Sequence, residues 1–307
     1  MTTFGLKLMS EIHGPRSLVA QAAAARRHGF SFASISDHFH PWLSEHAHSP
    51  LAWSVLGAVA AQSDGLDLAT GVTCPIGRYH PAIVAQAAAT VGCLSDGDFT
   101  LAVGAGERLN EHVTGAFPGP AQRHEMLEEA ITIIKALWSG EWTTIRGRYL
   151  CVEDARLYDR PQRPLRLVVA VSGPSTLDLA QRVEADGIVA VDPDASLVDG
   201  WTARGGAADE TWTEVPFAWA PDDDAGRHLA HERFRFGALG WRVMSELPTP
   251  QSFDAASQHI RPEDVVATVP YGPDPKRYID AVNAFVDAGF ERIAIVPVGD
   301  DIDGFFS

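Results

Sequence analysis

Residues 36–42 read Ser36-Asp37-His38-Phe39-His40-Pro41-Trp42, so two imidazoles, a carboxylate and an indole fall within seven positions. An imidazole exchanges a proton near neutral pH and a nearby carboxylate can orient it, a combination suited to general acid–base chemistry. Directly before it lies the apolar run Phe30-Ser31-Phe32-Ala33-Ser34-Ile35. Side chains just past the carboxyl end of such a strand project into the mouth of an α/β barrel, where reacting groups collect. The segment points to an enzyme rather than a scaffold.

Other strand ends carry weaker signals. Glu11 follows Gly5-Leu6-Lys7-Leu8-Met9-Ser10 and, alone, reads as an acid favourable to the amino end of a helix starting at Pro15. A third run ends Leu68-Ala69-Thr70-Gly71-Val72-Thr73-Cys74-Pro75. Gly71 would let a planar ligand approach the main chain, or would simply mark a bulge. The fourth gives Gly104-Ala105-Gly106-Glu107-Arg108-Leu109-Asn110-Glu111. Leu109 stands where a dinucleotide fingerprint needs its third glycine, and no acidic ribose partner follows, so a Rossmann site is rejected. Glu107 is either a desolvated general acid at the barrel mouth or a solvated acid at a helix start. After the fifth run, Ser172-Gly173-Pro174-Ser175-Thr176 opens a helix whose N–H groups, hydroxyls and dipole suit a phosphate, although Ser and Thr there are also ordinary caps.

The elements that position these residues alternate. Apolar runs begin near Phe4, Phe30, Asp67, Asp98, Leu165, Gly187, Thr211 and Glu291, separated by Ala-rich or amphipathic stretches such as 15–28, 50–62 and 121–138. Pro15, Pro50, Pro81 and Pro174 mark helix starts, and Gly29, Gly140 and Gly289 mark ends. Eight strands predict a (β/α)8 TIM barrel over residues 1–307 as one domain, with a doubly wound sheet as the runner-up. Segments 150–164 and 221–261 exceed ordinary loops and are expected to be insertions. With 307 residues and 46% hydrophobic content, the chain can bury one large core. Three cysteines without C-x-x-C spacing indicate neither disulfides nor a thiolate zinc site. A net charge of −16 argues against nucleic acid, and no apolar run approaches a membrane span, so a cytoplasmic enzyme with a small-molecule substrate is expected.

Taken together, these motifs resemble the bacterial luciferase-like flavin and deazaflavin oxidoreductases, in particular the branch of the coenzyme F420-dependent glucose-6-phosphate dehydrogenases. The resemblance rests on 36–42, on Arg78-Tyr79-His80-Pro81-Ala82 with Ala85-Gln86-Ala87-Ala88-Ala89-Thr90, on 104–111, and on Leu137-Trp138-Ser139-Gly140. It is similar also to a neighbouring clade of non-F420 flavin oxidoreductases, through His40-Pro41-Trp42, Ser252-Phe253-Asp254-Ala255-Ala256 and Arg261-Pro262-Glu263-Asp264-Val265. The resemblance implies F420, or alternatively FMN, in the mouth of a luciferase-type barrel, near a non-proline cis peptide at Gly71-Val72. It makes His38 the base that removes a hydroxyl proton during hydride transfer, Trp42 the shield of the reacting face and Glu107 a donor to the ring. Glu11 becomes a further active-site carboxylate, and Asn110 holds the ring or Glu107. Asp37, Gly71, Val72 and Cys74 would line the cofactor, and Ser172, Gly173 and Ser175 would bind its phosphate. A homodimer is expected on the same ground.

The sugar-phosphate pattern is broken. Val189-Ala190-Val191-Asp192-Pro193-Asp194 is acidic where that branch has a phosphate-binding lysine, and 266–268 is not basic, so glucose-6-phosphate is not the expected substrate. FMN-dependent reductase or monooxygenase chemistry is the alternative. A metal-dependent hydrolase is a remote one, from His38-x-His40 with His46 and His48 nearby, though no later set of ligands completes a shell and no metal is expected. Binding without turnover is a third reading, because Lys7 and Met9 occupy places where polar active-site residues would be expected.

Overall fold

Eight short apolar runs set the architecture: β1 (Thr3–Leu8), β2 (Phe32–Ile35), β3 (Asp67–Thr70), β4 (Phe99–Val103) and, after an antiparallel hairpin of β5 (Thr143–Arg146) and β6 (Cys151–Ala155), β7 (Arg166–Ala170), β8 (Gly187–Val189), β9 (Thr211–Phe217) and β10 (Arg292–Pro297). In the computed structural model, which describes residues 1–62 and 64–306, all but the hairpin strands pair in parallel. They close into a barrel in the order β1-β10-β9-β8-β7-β4-β3-β2. The predicted (β/α)8 barrel is therefore present, and closure rules out the doubly wound sheet.

Helices Pro15–Arg27, Pro81–Leu94 and Pro174–Arg182 start at the prolines read from the sequence, where a missing N–H costs no hydrogen bond. The helix read from Pro50 starts instead at Ala52, because Leu51 is still extended. The apolar outer faces of the strands pack on these helices: Leu8, Ile35, Leu101 and Val169 are buried with Leu18, Leu56 and Ile134.

The inner faces form a separate plug. Phe32, Ala69, Ala102, Val168, Trp212 and Ala294 cluster there, with Phe32 and Trp212 edge to face at 5.0 Å. Two residues further along the strands, on the same face, stand Ser34, Gly71 and Glu214, with Lys7 level with Ser34 on β1. Lys7, 4% exposed, donates to the Gly71 carbonyl and sits 2.6 Å from Glu214 Oε2. A Cβ on Gly71 would lie 2.7 Å from Lys7 Nζ, so only glycine admits the ammonium to the main chain here. The polar floor of the mouth is thus a neutralised pair above a dry plug.

The first expected insertion, 150–164, is half of a hairpin that begins earlier, at Thr143. The second, 221–261, contains helices Asp223–Phe234, Trp241–Met244 and Pro250–Ser257. Its Phe236 and Phe253 are buried with Met9, Leu43, Leu109 and Val296, residues at or just beyond the carboxyl ends of the strands, so the insertion covers one side of the mouth. Enclosing Phe253 fully contributes on the order of 2–3 kcal/mol. Among the described residues, no helix is long and apolar enough to cross a membrane.

Candidate active site

His38 lies three residues beyond β2 and is nearly enclosed. Its Nδ1 is 3.0 Å from Glu11 Oε1, and its Nε2 is 3.7 Å from Glu107 Oε1. The Glu11 contact is close but off the hydrogen-bond axis, since Nδ1 forms no aligned hydrogen bond. Such contacts in ligand-free sites tighten when the reacting complex forms. In the tautomer with its hydrogen on Nδ1, Nε2 holds the lone pair that can take a proton. Trp42 meets the His38 ring edge to face at 4.7 Å and stacks on Phe236 at 5.0 Å with Phe253 at its edge. The insertion therefore fixes the indole, and the indole walls one side of the imidazole.

Asn110 joins the two halves of the site. It is 0% exposed, its Oδ1 accepts the N–H groups of Phe39 (2.7 Å) and His40 (3.0 Å), and its Nδ2 donates to Glu107 Oε1. Glu107 is thereby aimed by the same amide that secures the His38 loop.

Asp37, expected at the cofactor, has a fully enclosed side chain whose oxygens are committed to the protein. Oδ2 accepts Thr73 Oγ1 at 2.6 Å, while Oδ1 accepts Tyr79 OH and Arg78 Nη2, each at 3.0 Å. Burial, reinforced by Asp37, raises the Tyr79 pKa, so the phenol stays a donor. In this structure Asp37 bolts the end of β2 to the segment after β3. Glu111 extends the network: its Oε2 accepts the Arg78 N–H at 2.8 Å, and burial pushes its carboxyl up to about 7.

Gly71-Val72 is a cis peptide, as the resemblance implied. A Cβ on Gly104 would lie 3.0 Å from Val72 Cγ2 and 3.5 Å from Ala170 Cβ, so the ends of β3, β4 and β7 meet in a shallow cradle that a side chain there would fill. Beyond β7, the exposed Ser172 and Ser175 flank Gly173, around which a Cβ would find open space. The Ser172 N–H is taken by Thr176 Oγ1 at 3.0 Å, at the start of helix Pro174–Arg182. Cys74 is buried beneath Gly106 and burial drives its thiol well up, so it serves as packing under the Glu107 loop rather than as a thiolate.

Sequence reasoning brought His38, Glu11, Glu107, Asn110 and Trp42 forward, and the fold brings them together. It missed Lys7 with Glu214, the three donors around Asp37, Glu111, and the Phe236–Phe253 support. Arg78, Tyr79 and Glu111 stood inside quoted motifs, but nothing local to them marked their burial beside Asp37. The His38-x-His40 reading as a metal shell finds no support in geometry: His38 faces Glu11, the His40 ring lies 6.5 Å from His112, and among the described residues no group of three His, Cys, Asp or Glu side chains is placed to hold a metal ion.

The structure is a closed parallel barrel with a carboxylate–imidazole–carboxylate series at the ends of its first, second and fourth strands, the arrangement of a barrel enzyme's mouth. The chain belongs to the luciferase-like monooxygenase family, which it matches over residues 1–292. It is 38% identical over 308 residues to the F420-dependent hydroxymycolic acid dehydrogenase of Mycobacterium tuberculosis, covering 97% of this chain and 84% of that one. It is 33% identical over 318 residues to an F420-dependent glucose-6-phosphate dehydrogenase of Microbacterium testaceum, covering 98% and 93%. Its fold superposes with a TM-score of 0.89, at 27% identity and over 99% and 96% of the two chains, on an F420-dependent secondary alcohol dehydrogenase in complex with an F420–acetone adduct.

Proposed function

We propose that the protein is an F420-dependent oxidoreductase that moves a hydride between a small neutral alcohol, or its ketone, and the deazaflavin. The observation that carries this reading is His38, with Nδ1 against Glu11 and Nε2 turned to Glu107 at the mouth. In alcohol oxidation His38 Nε2 takes the hydroxyl proton and Glu11 stabilises the imidazolium that results. When bound, F420 supplies the carbon that accepts the hydride. Gly71, Val72 and Gly104 would line a planar ring, Glu107 held by Asn110 would interact with it, and Ser172, Gly173 and Ser175 would bind its phosphate. Trp42 keeps water from the imidazole.

Charge supports a neutral substrate. The relatives act on glucose-6-phosphate or hydroxymycolic acid by name, but here the segment after β8 exposes Asp192 and Asp194. Two cations at the mouth, Lys7 and Arg78, are already paired with Glu214 and Asp37. A phosphoryl group would meet acids where it needs a free cation. The test is an absorbance titration of the purified protein with F420 and FMN separately, followed by secondary alcohols. Saturable F420 binding and alcohol-dependent loss of the deazaflavin absorbance are expected; tight FMN binding without F420 binding would replace the reading with a flavin reductase or monooxygenase.

A further inference from the structure

The inner face of β1 carries a cation that the chemistry described so far does not use. Gly5 faces the Phe32 ring of the dry plug, so closely that a Cβ there would run into it, and Lys7 stands two residues further along on the same face. Its ammonium has three hydrogens. The Gly71 carbonyl takes one and Glu214 Oε2 another, and the third has no acceptor among the described residues. The Gly71 carbonyl belongs to the peptide that joins Gly71 to Val72. The same stretch is tied to its neighbours by the Gly71 N–H on the Ile35 carbonyl and the Thr73 N–H on the Ala102 carbonyl, each at 2.8 Å. Lys7 is thus fastened directly to the backbone that would line a planar ring, in space that a side chain at position 71 would otherwise fill.

The pair is neutral in sum but not in effect. The Lys7 side chain is 5% exposed and that of Glu214 34%, so water screens the carboxylate more than the ammonium and a positive potential remains around Nζ. Around it, Glu11 and Glu107 bring negative charge to His38, and Arg78 is drawn to Asp37 and Glu111. We infer that Lys7 sets the preference of this site for the reduced over the oxidised form of its ring cofactor, as an electrostatic residue that neither gives nor takes a proton. This rests on the proposed reading of Gly71, Val72 and Gly104 as the lining of the deazaflavin. In alcohol oxidation the carbinol C–H bond breaks and its hydrogen leaves with the electron pair for the ring. The hydroxyl proton goes to His38, and the alcohol becomes a ketone. The hydride carries one unit of negative charge onto the ring, so a fixed cation on the lining backbone favours the ring more after the transfer than before. Glu214 opposes that cation. The two residues therefore act on the reduction potential in opposite senses, a signature that support of the backbone alone does not produce.

The test reads binding rather than turnover: anaerobic calorimetric titration of the wild type, Lys7→Met and Glu214→Gln with oxidised and with reduced F420. Lys7→Met is expected to lower the ratio of reduced to oxidised affinity by about tenfold, a fall of ~30 mV in the potential of the bound two-electron couple. Glu214→Gln keeps an acceptor for the ammonium and is expected to raise the ratio several-fold. An unchanged ratio in Glu214→Gln, or shifts of the same sign in the two variants, overturns the inference. A Lys7→Met protein that loses affinity for both forms alike overturns it too, since that is the mark of a purely structural seat. Should Lys7→Met fail to fold, Glu214→Gln alone decides. If the wild type binds FMN and no F420, the functional reading fails, and the same titrations with oxidised and reduced FMN decide the role of Lys7; binding of neither removes both.

Discussion

Glu111→Gln isolates the electrostatics of the network beneath the site. Glu111 is 3% exposed, and burial, with the charge of Glu107 adding to it, raises its carboxyl from 4.5 to about 7 against the opposing pull of Arg78. The folded chain therefore holds this proton more tightly than the unfolded chain does. Stability from this group is complete below pH ~4.5 and is lost as pH rises through about 7, the reverse of a salt-bridged carboxylate. The displacement corresponds to roughly 3 kcal/mol, at about 1.4 kcal/mol for each factor of ten. Gln keeps an acceptor for the Arg78 N–H, found at 2.8 Å, but cannot ionise. Urea unfolding of both proteins between pH 4.5 and 8 should show Glu111→Gln gaining about 3 kcal/mol on the wild type across that window. Taking the difference between the two proteins cancels the titrating groups that do not interact with Glu111. A difference independent of pH would refute the assignment of a buried, proton-holding carboxyl.

Three further outcomes follow from the geometry. His38→Gln should leave F420 affinity, read by absorbance titration, within a few-fold of wild type while kcat for alcohol oxidation falls by roughly 10²–10⁴; unchanged turnover would remove His38 as the base. Asp37→Asn should lower stability to urea by about 3 kcal/mol, because it removes the nearer charge partner of the buried Arg78 guanidinium and leaves only Glu111, 3.9 Å away, opposite it; a loss below 1 kcal/mol would mean the network contributes little. Phe236→Ala removes the ring stacked under Trp42 and should cost about 3–5 kcal/mol in unfolding free energy together with a fall in kcat; unaltered kcat would show that Trp42 holds its place without that support.

The barrel was legible because parallel strands are buried on both faces and read as apolar runs, and each of the eight observed strands begins within two residues of its run. The residues at strand ends were legible for the same reason: once β2 is found, His38 and Trp42 must lie past its carboxyl end. Pairings between distant strands were not. Lys7 and Glu214 are 207 positions apart, and nothing local to either announces the other. Asp37 looked like a ligand-facing carboxylate because its neighbours in sequence are His38 and Trp42, whereas its partners Thr73, Arg78 and Tyr79 arrive 36–42 positions later. The support of Trp42 by Phe236 depends on how a long insertion folds back, which periodicity does not specify.

The amide of Asn110 has a consequence for how this catalyst can change. One planar group receives two N–H bonds from the loop that carries His38 and gives one to Glu107, so the His38 and Glu107 loops share a single pin. Neither loop can be re-aimed alone, and substitutions in 38–40 and 104–107 should be non-additive when combined. Among the described residues the insertion that holds Trp42 makes no hydrogen bond to Asn110, and it meets that loop through the Ser245 carbonyl, which accepts the Arg108 N–H at 2.9 Å. Descendants or engineered libraries that seek new substrates would find the freer ground in the 221–261 wall, with the proton-handling pair inherited as one unit.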